Sequence, residues 1–267
     1  MTVTAPAVFS PYRQPIRWFL NLWREIHEES LEPGRERKLD FRLLLVMLTV
    51  AVSLSLQEFF GDRGTFFRLM PDGFRETVHY AELWSFLWWS GTRVFGFLIL
   101  PAAVVLFAMP GERLRDYGWN LAGFYRHIGL YLVLYAFVFP LCWLMAHTKD
   151  FQRIYPFYRL ANRSLFEFVA WELLYAAQFL SLEFFFRGFM LVATKRTLGV
   201  HAIWVMVVPY CMIHFGKTFA ETMAAIVAGL ALGTVALRTK SIWGGVFVHI
   251  AVAVTMDLMT VGYLRPR

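Results

Sequence analysis

The sequence predicts an all-α protein, a polytopic membrane helix bundle of about seven transmembrane helices (seven or eight) plus an N-terminal interfacial helix. Hydrophobic residues make up 58% of the 267 residues and charged residues only 17%, whereas a soluble domain carries about 25% charged residues. The apolar residues also fall into runs of the length that a bilayer requires, about 17–25 helical residues. A disordered chain and a disulfide scaffold are excluded, because the apolar content is too high and the chain has two cysteines.

The N-terminal 42 residues form a predicted cytoplasmic or interfacial segment that precedes a single membrane-embedded domain at 43–264. Apolar and basic residues alternate with a helical period between Pro11 and Glu28. This pattern favours an amphipathic helix lying in the membrane interface, although a disordered basic tail has a similar composition. Glu32, Pro33 and Gly34 then break the helical pattern.

Seven apolar runs follow the N-terminal segment, and each predicts a membrane helix. The fourth run is long for a bilayer and must tilt, kink or project from it, whereas the fifth is short. The sixth run carries small residues at i+4 spacing, which favours close helix packing. The runs are Leu43–Phe60, Leu83–Met109, Ile128–Ala146, Leu165–Thr194, Ala202–Phe215, Phe219–Leu237 and Ile242–Val261.

The charge pattern predicts how the chain lies in its membrane. The net charge is +7, and the basic residues stand mostly singly between apolar runs rather than in a nucleic-acid motif. We therefore expect contact with the lipid bilayer and no nucleic-acid partner. A weak excess of Arg and Lys on the N-terminal side predicts a multi-pass protein of the plasma (inner) membrane with a cytoplasmic N-terminus.

Ionisable residues inside the apolar runs are costly and therefore need individual explanations. Glu183 and Arg187 are four residues apart, so they share a helix face; they form either a structural ion pair or part of a site. Arg93 is expected to extend its charge toward the membrane surface if its helix begins close to it. The full set is Arg93, Glu172, Glu183, Arg187, His214, His249 and Asp257.

One carboxylate and two imidazoles on three separate runs suggest chemistry on water. Glu183 is a candidate general base, while His214 and His249 would position the water or stabilise an oxyanion. The same three residue types also suit zinc. However, no His-Glu-x-x-His pattern on one helix supports a metalloprotease of the usual kind.

These motifs resemble the CPBP family, the CAAX-processing and bacteriocin-processing intramembrane endopeptidases that are also called the ABI family. The resemblance rests on Glu183-Phe-Phe-Phe-Arg187-Gly, on Tyr210 followed four residues later by His214, and on His249 in the last run. It implies an intramembrane glutamic endopeptidase with catalytic Glu183, His214 and His249 and with Arg187 in a supporting role. No cofactor is implied, although a divalent metal is not excluded.

The resemblance covers about 165–259, and two of its positions bear on activity. The family pattern begins with two adjacent Glu, and its first Glu, the expected water activator, is Leu182 here. The third motif ends with Asn or a small residue, and here that residue is Ala253. Asp257, two turns after His249, would supply polarity in its place.

The sequence thus predicts an intramembrane endopeptidase that cuts a membrane-anchored protein substrate, within a C-terminal sorting or anchor segment. The alternative is a catalytically inactive relative that binds membrane segments as a scaffold, which Leu182 and Ala253 would support. A transporter is the third class, and it is disfavoured because the chain shows no repeated halves.

Overall fold

The computed structural model describes Arg17, Asn21 and residues 40–263. The chain divides into two compact units, Met1–Phe41 and Arg42–Arg267. The second unit contains the candidate site. Its described residues form helices joined by turns and short loops, with no strand among them.

Six helices in the described part of the chain are long and apolar enough to cross a membrane. They are Phe41–Phe60, Ala81–Ala108, Ile128–Ala146, Leu165–Leu198, Phe219–Thr239 and Trp243–Val261. In chain order the helices are α1 (Phe41–Phe60), α2 (Arg63–Leu69), α3 (Phe74–Thr77), α4 (Ala81–Ala108), α5 (Leu121–Arg126), α6 (Ile128–Ala146), α7 (Lys149–Ile154), α8 (Leu165–Leu198), α9 (His201–Met212), α10 (Phe219–Thr239) and α11 (Trp243–Val261). The protein is therefore an all-α, multi-pass membrane protein, as its composition predicted.

The predicted runs correspond to these helices, with one short member. The fifth run, Ala202–Phe215, gives α9, which has 12 residues and ends at Met212. The chain then turns through Gly216, whose φ of +91° favours glycine. The predicted interfacial helix at Pro11–Glu28 lies outside the described residues except at Arg17 and Asn21.

Helix α8 is the central element of the bundle, because 72% of its most apolar 18-residue stretch is buried inside the protein. Ser164 caps its start, since the serine side chain accepts a hydrogen bond from the backbone N–H of Glu167. Residues Phe184–Met190 wind as a π-helix within α8, a local widening that is frequent at functional sites. All seven of these residues are buried.

A second π-helical segment, Phe95–Ile99 in α4, packs against the π segment of α8. The ring of Phe97 lies 4.7 Å from that of Phe185 and 5.9 Å from that of Phe186, measured between centroids. Both spacings are in the range of favourable aromatic pairs. The contact fixes α4 against the part of α8 that follows Glu183.

Small residues set the close approach of α9 and α10. A Cβ on Gly229 would lie 2.9 Å from a methyl group of Val207 and 3.1 Å from the ring of Tyr210. One on Gly233 would lie 3.0 Å from the terminal methyl of Met206. The i+4 spacing of small residues in the sixth apolar run thus serves helix packing, as predicted.

A charged cluster ties three elements together at one end of the bundle. Glu112, in the loop after α4, pairs with Arg42 at the start of α1 and with Arg196 near the end of α8. Partial burial raises the pKa of Glu112, but Arg42 and Arg196 outweigh this effect, so that its pKa lies below the ordinary value. Glu112 is therefore ionised at neutral pH.

Candidate active site

Glu183 is fully buried and lies between a cation and an imidazole. Its Oε1 is 3.1 Å from Nη1 of Arg187 and 2.8 Å from Nδ1 of His249. The i,i+4 spacing on α8 thus brings acid and base together as expected, and α11 supplies the histidine. A buried carboxylate requires such partners, because an isolated one is strongly disfavoured in an apolar interior.

Gly245 makes room for the carboxylate of Glu183. A Cβ at Gly245 would lie 2.0 Å from Oε2 of Glu183, well inside contact distance. The neighbouring Gly244 is equally constrained, because a Cβ there would lie 1.8 Å from the ring of Tyr131 on α6. These two glycines allow the start of α11 to approach both α6 and α8.

Each ring nitrogen of His249 lies close to a polar group. Nδ1 faces Glu183, and Nε2 lies 2.9 Å from the hydroxyl of Tyr210. The ring stacks on Phe179, with a centroid distance of 5.2 Å and an interplanar angle of 9°. Glu183 and Arg187 balance each other's charge. In the tautomer with the proton on Nδ1, the nitrogen that faces the carboxylate, Nε2 accepts a hydrogen bond from the Tyr210 hydroxyl.

His214 follows α9, and the backbone sets its tautomer. Its Nδ1 lies 2.8 Å from the carbonyl oxygen of Tyr210, and a carbonyl only accepts, so Nδ1 is the protonated nitrogen of the neutral ring. Nε2 is then left as an acceptor. The ring packs edge-on against Tyr210, with centroids 5.0 Å apart.

Tyr210 therefore contacts three of the predicted site residues, a role that the sequence did not reveal. Its hydroxyl bonds His249 and its carbonyl bonds His214. The guanidinium carbon of Arg187 lies 4.0 Å from the centre of its ring, a favourable cation–π distance. The signal in the sequence was that Tyr210 occupies the position of the phenylalanine in the family's second motif.

A cavity of about 420 Å³ adjoins this group. His214 and His249 both line it, and so does Leu182, the residue at the position of the family's first Glu. Glu183 lies behind His249, with its side chain 1% exposed against 16% for the imidazole. The carboxylate thus reaches the cavity through the ring of His249 rather than directly.

Asp257 is bonded to an indole on another helix. Its Oδ2 accepts a hydrogen bond of 2.6 Å from the indole N–H of Trp171. Ala253 packs in the same apolar cluster as Trp171. Asp257 therefore places a polar group beside this apolar cluster, two turns along α11 from His249.

Arg93 lines the cavity and contacts the chain just after α1. Its helix begins at Ala81, so Arg93 is in the helix interior. One guanidinium nitrogen, Nη1, lies 3.2 Å from the carbonyl oxygens of Gly61 and Trp89. Within residues 40–263 no group of three or more His, Cys, Asp or Glu side chains is arranged to hold a metal ion.

Comparison with protein families identifies the part of the chain that carries this geometry. Residues 163–255 match the family model described as type II CAAX prenyl endopeptidase Rce1-like. Searches among curated proteins and among solved structures gave no match. The matched residues include Glu183, Arg187, His214 and His249, and this model describes a branch of the family that the motifs resembled. Residues 163–255, about a third of the chain, are therefore similar to the CAAX protease-type endopeptidases of the CPBP family.

Proposed function

We propose that this protein hydrolyses a peptide bond of a membrane-anchored protein, within a C-terminal sorting or anchor segment, by activating water with a carboxylate–imidazole pair. The observation that carries the proposal is the 2.8 Å approach of Glu183 to His249 beside a cavity that His214 also lines. Such a pair orients the imidazole and stabilises its protonated form, as in serine hydrolases.

His249 is the proposed general base, and Glu183 acts through it. Water takes the place of the Tyr210 hydroxyl at Nε2 and gives its proton to that nitrogen. The resulting hydroxide attacks the carbonyl carbon of the peptide bond. The imidazolium then returns the proton to the leaving amine as the C–N bond breaks. Arg187 keeps Glu183 ionised throughout, because the two charges lie 3.1 Å apart.

His214 is the proposed second contact of the water. Its Nδ1–H is held by the Tyr210 carbonyl, so the unprotonated Nε2 is free to accept a hydrogen bond from the same water. Two acceptors on one water would orient a lone pair of its oxygen toward the substrate carbonyl. Orientation of this kind contributes strongly to rate.

The proposed setting is the plasma (inner) membrane, with the N-terminus on the cytoplasmic side. The six long apolar helices support a membrane-embedded site, and the excess of Arg and Lys near the N-terminus supports the orientation. A substrate segment would enter the cavity from within the bilayer or along its surface. Its anchor keeps it close to the enzyme, which favours cleavage near one end of a membrane segment.

The proposal is tested with purified protein in nanodiscs and a set of membrane-anchored reporter tails. We expect cleavage by the unaltered protein, and cleavage at least about 100-fold slower in His214→Ala. The exposed His147 provides the matched control, and His147→Ala is expected to cleave normally. Cleavage should also persist with a chelator, because the proposed mechanism activates water with Glu183 and His249, which lie 2.8 Å apart.

Leu182 and Ala253 support the competing hypothesis of an inactive scaffold. Leu182 is 4% exposed and lines the cavity, where a leucine cannot activate water. If the unaltered protein binds tails but cuts none, while Leu182→Glu cuts them, the scaffold hypothesis is correct. Equal cleavage by the His147→Ala and His214→Ala variants would contradict the proposed site.

A further inference from the structure

The cavity has an excess of positive charge among its lining residues. Among the described residues, three cations line it, Arg63, Arg93 and Lys217, against one carboxylate, Glu58. Arg63 is already paired with Glu82 and bonds Ser85. The other two cations belong to different elements, because Arg93 lies within α4 and Lys217 lies in the connection between α9 and α10.

Neither Arg93 nor Lys217 has a close acidic partner. Within residues 40–263, no ion pair of 4.0 Å or less includes either side chain. Arg93 instead bonds neutral backbone carbonyls and lies over the ring of Trp89, with its guanidinium carbon 4.1 Å from the ring centre. The Lys217 amine lies 5.8 Å from the ring centre of Tyr155 and 5.6 Å from that of Phe157.

Cations are costly inside a membrane protein unless an anion or water compensates them, and they commonly mark a binding function. Glu58 and Asp62 act on Arg93, and Glu221 and Asp257 act on Lys217, but only at longer range. The two cations also repel each other electrostatically. An anion bound between them would relieve this repulsion.

We infer that Arg93 and Lys217 form an anion subsite of the cavity that binds a carboxylate of the substrate segment. This inference rests on the proposed function, because it takes the cavity to be the place where substrate binds. The subsite lies in the same cavity as His214 and His249. It would anchor one end of the peptide while the scissile bond lies beside the imidazoles. The carboxylate belongs either to the C-terminus or to an acidic side chain near it.

The test measures binding and cleavage separately. The probe is a fluorescein-labelled, leucine-rich peptide with one aspartate near its C-terminus, and anisotropy gives its affinity for the full chain in nanodiscs. A C-terminal amide and an Asp→Asn version remove the two carboxylates one at a time, so they distinguish the two sources. We expect the unaltered protein to bind one of these neutralised peptides about tenfold or more weakly, as loss of a charged hydrogen bond predicts.

Two variants of the subsite and one control complete the design. Lys217→Gln should abolish the preference for the carboxylate and raise KM while leaving kcat within about twofold, since binding is affected and chemistry is not. Arg93→Lys keeps the charge and should preserve most of the preference. Lys149 is exposed and does not line the cavity, so Lys149→Gln should behave like the unaltered protein.

The outcomes separate this inference from the proposed function. A carboxylate preference without any cleavage would contradict the peptidase proposal and leave the subsite standing. Cleavage with equal binding of the original and both neutralised peptides would overturn the subsite and leave the peptidase standing. Persistence of the preference in Lys217→Gln would also overturn the assignment.

Discussion

Replacement of Glu183 by Gln separates the structural from the catalytic role of this carboxylate. The change keeps size and shape but removes the negative charge 3.1 Å from Arg187, whose side chain is 0% exposed. Breaking a buried ion pair in this way costs about 3–5 kcal/mol, because it leaves an uncompensated charge. The variant also removes the anion that supports His249, so we expect cleavage to fall by about 10²–10⁴-fold.

Two measurements on the same preparations give the change in stability and the change in activity. Thermal unfolding in detergent reports stability, and cleavage of a membrane-anchored reporter in nanodiscs reports activity. The double variant Glu183→Gln/Arg187→Gln removes both charges, so its stability should return most of the way to that of the unaltered protein. Its activity should remain lost. Glu76 is exposed, and Glu76→Gln serves as the control for loss of one carboxylate.

Three results would refute this reasoning. Full turnover in a folded Glu183→Gln variant would remove Glu183 from the mechanism. Unchanged stability in that variant would show that the contact with Arg187 is not a significant ion pair. Recovery of activity together with stability in the double variant would mean that Glu183 serves only to neutralise Arg187.

The remaining predictions concern the neighbours of this carboxylate, and each is measured with the same cleavage and unfolding assays. Leu182→Glu places an acid on the cavity wall beside both histidines and should increase cleavage; a decrease in a folded variant would contradict this. Tyr210→Phe removes the hydroxyl that competes with water at His249, so cleavage should be retained or rise up to about fivefold, the equivalent of one hydrogen bond. A fall of tenfold would instead make the phenol a proton relay. Gly245→Ala forces its methyl group against Glu183 and should abolish cleavage, whereas Gly262→Ala, with open space around it, should not.

The sequence predicted the fold class well because apolar runs of bilayer length are a strong signal. The end of α9 was harder to predict, because its apolar run continues to Phe215 while the helix ends at Met212. The π-helical segments at Phe95–Ile99 and Phe184–Met190 were also beyond sequence reasoning. They depend on aromatic packing between α4 and α8, which no local pattern encodes.

Spacing along one helix was more informative about the site than spacing between helices. It placed Glu183 beside Arg187, but the contact with His249 depends on how closely α11 approaches α8, which Gly245 allows. Asp257 was expected to contribute polarity along α11, and the structure shows that its partner is Trp171. The sequence could not show that choice, because the indole comes from a different helix.

The rate of reporter cleavage by His249→Ala, compared with the unaltered protein and with His147→Ala, tests most directly whether a carboxylate-supported imidazole activates the water. We predict that His249→Ala falls by at least about 100-fold, while His147→Ala cleaves as fast as the unaltered protein. Undiminished cleavage by a folded His249→Ala variant would contradict the account.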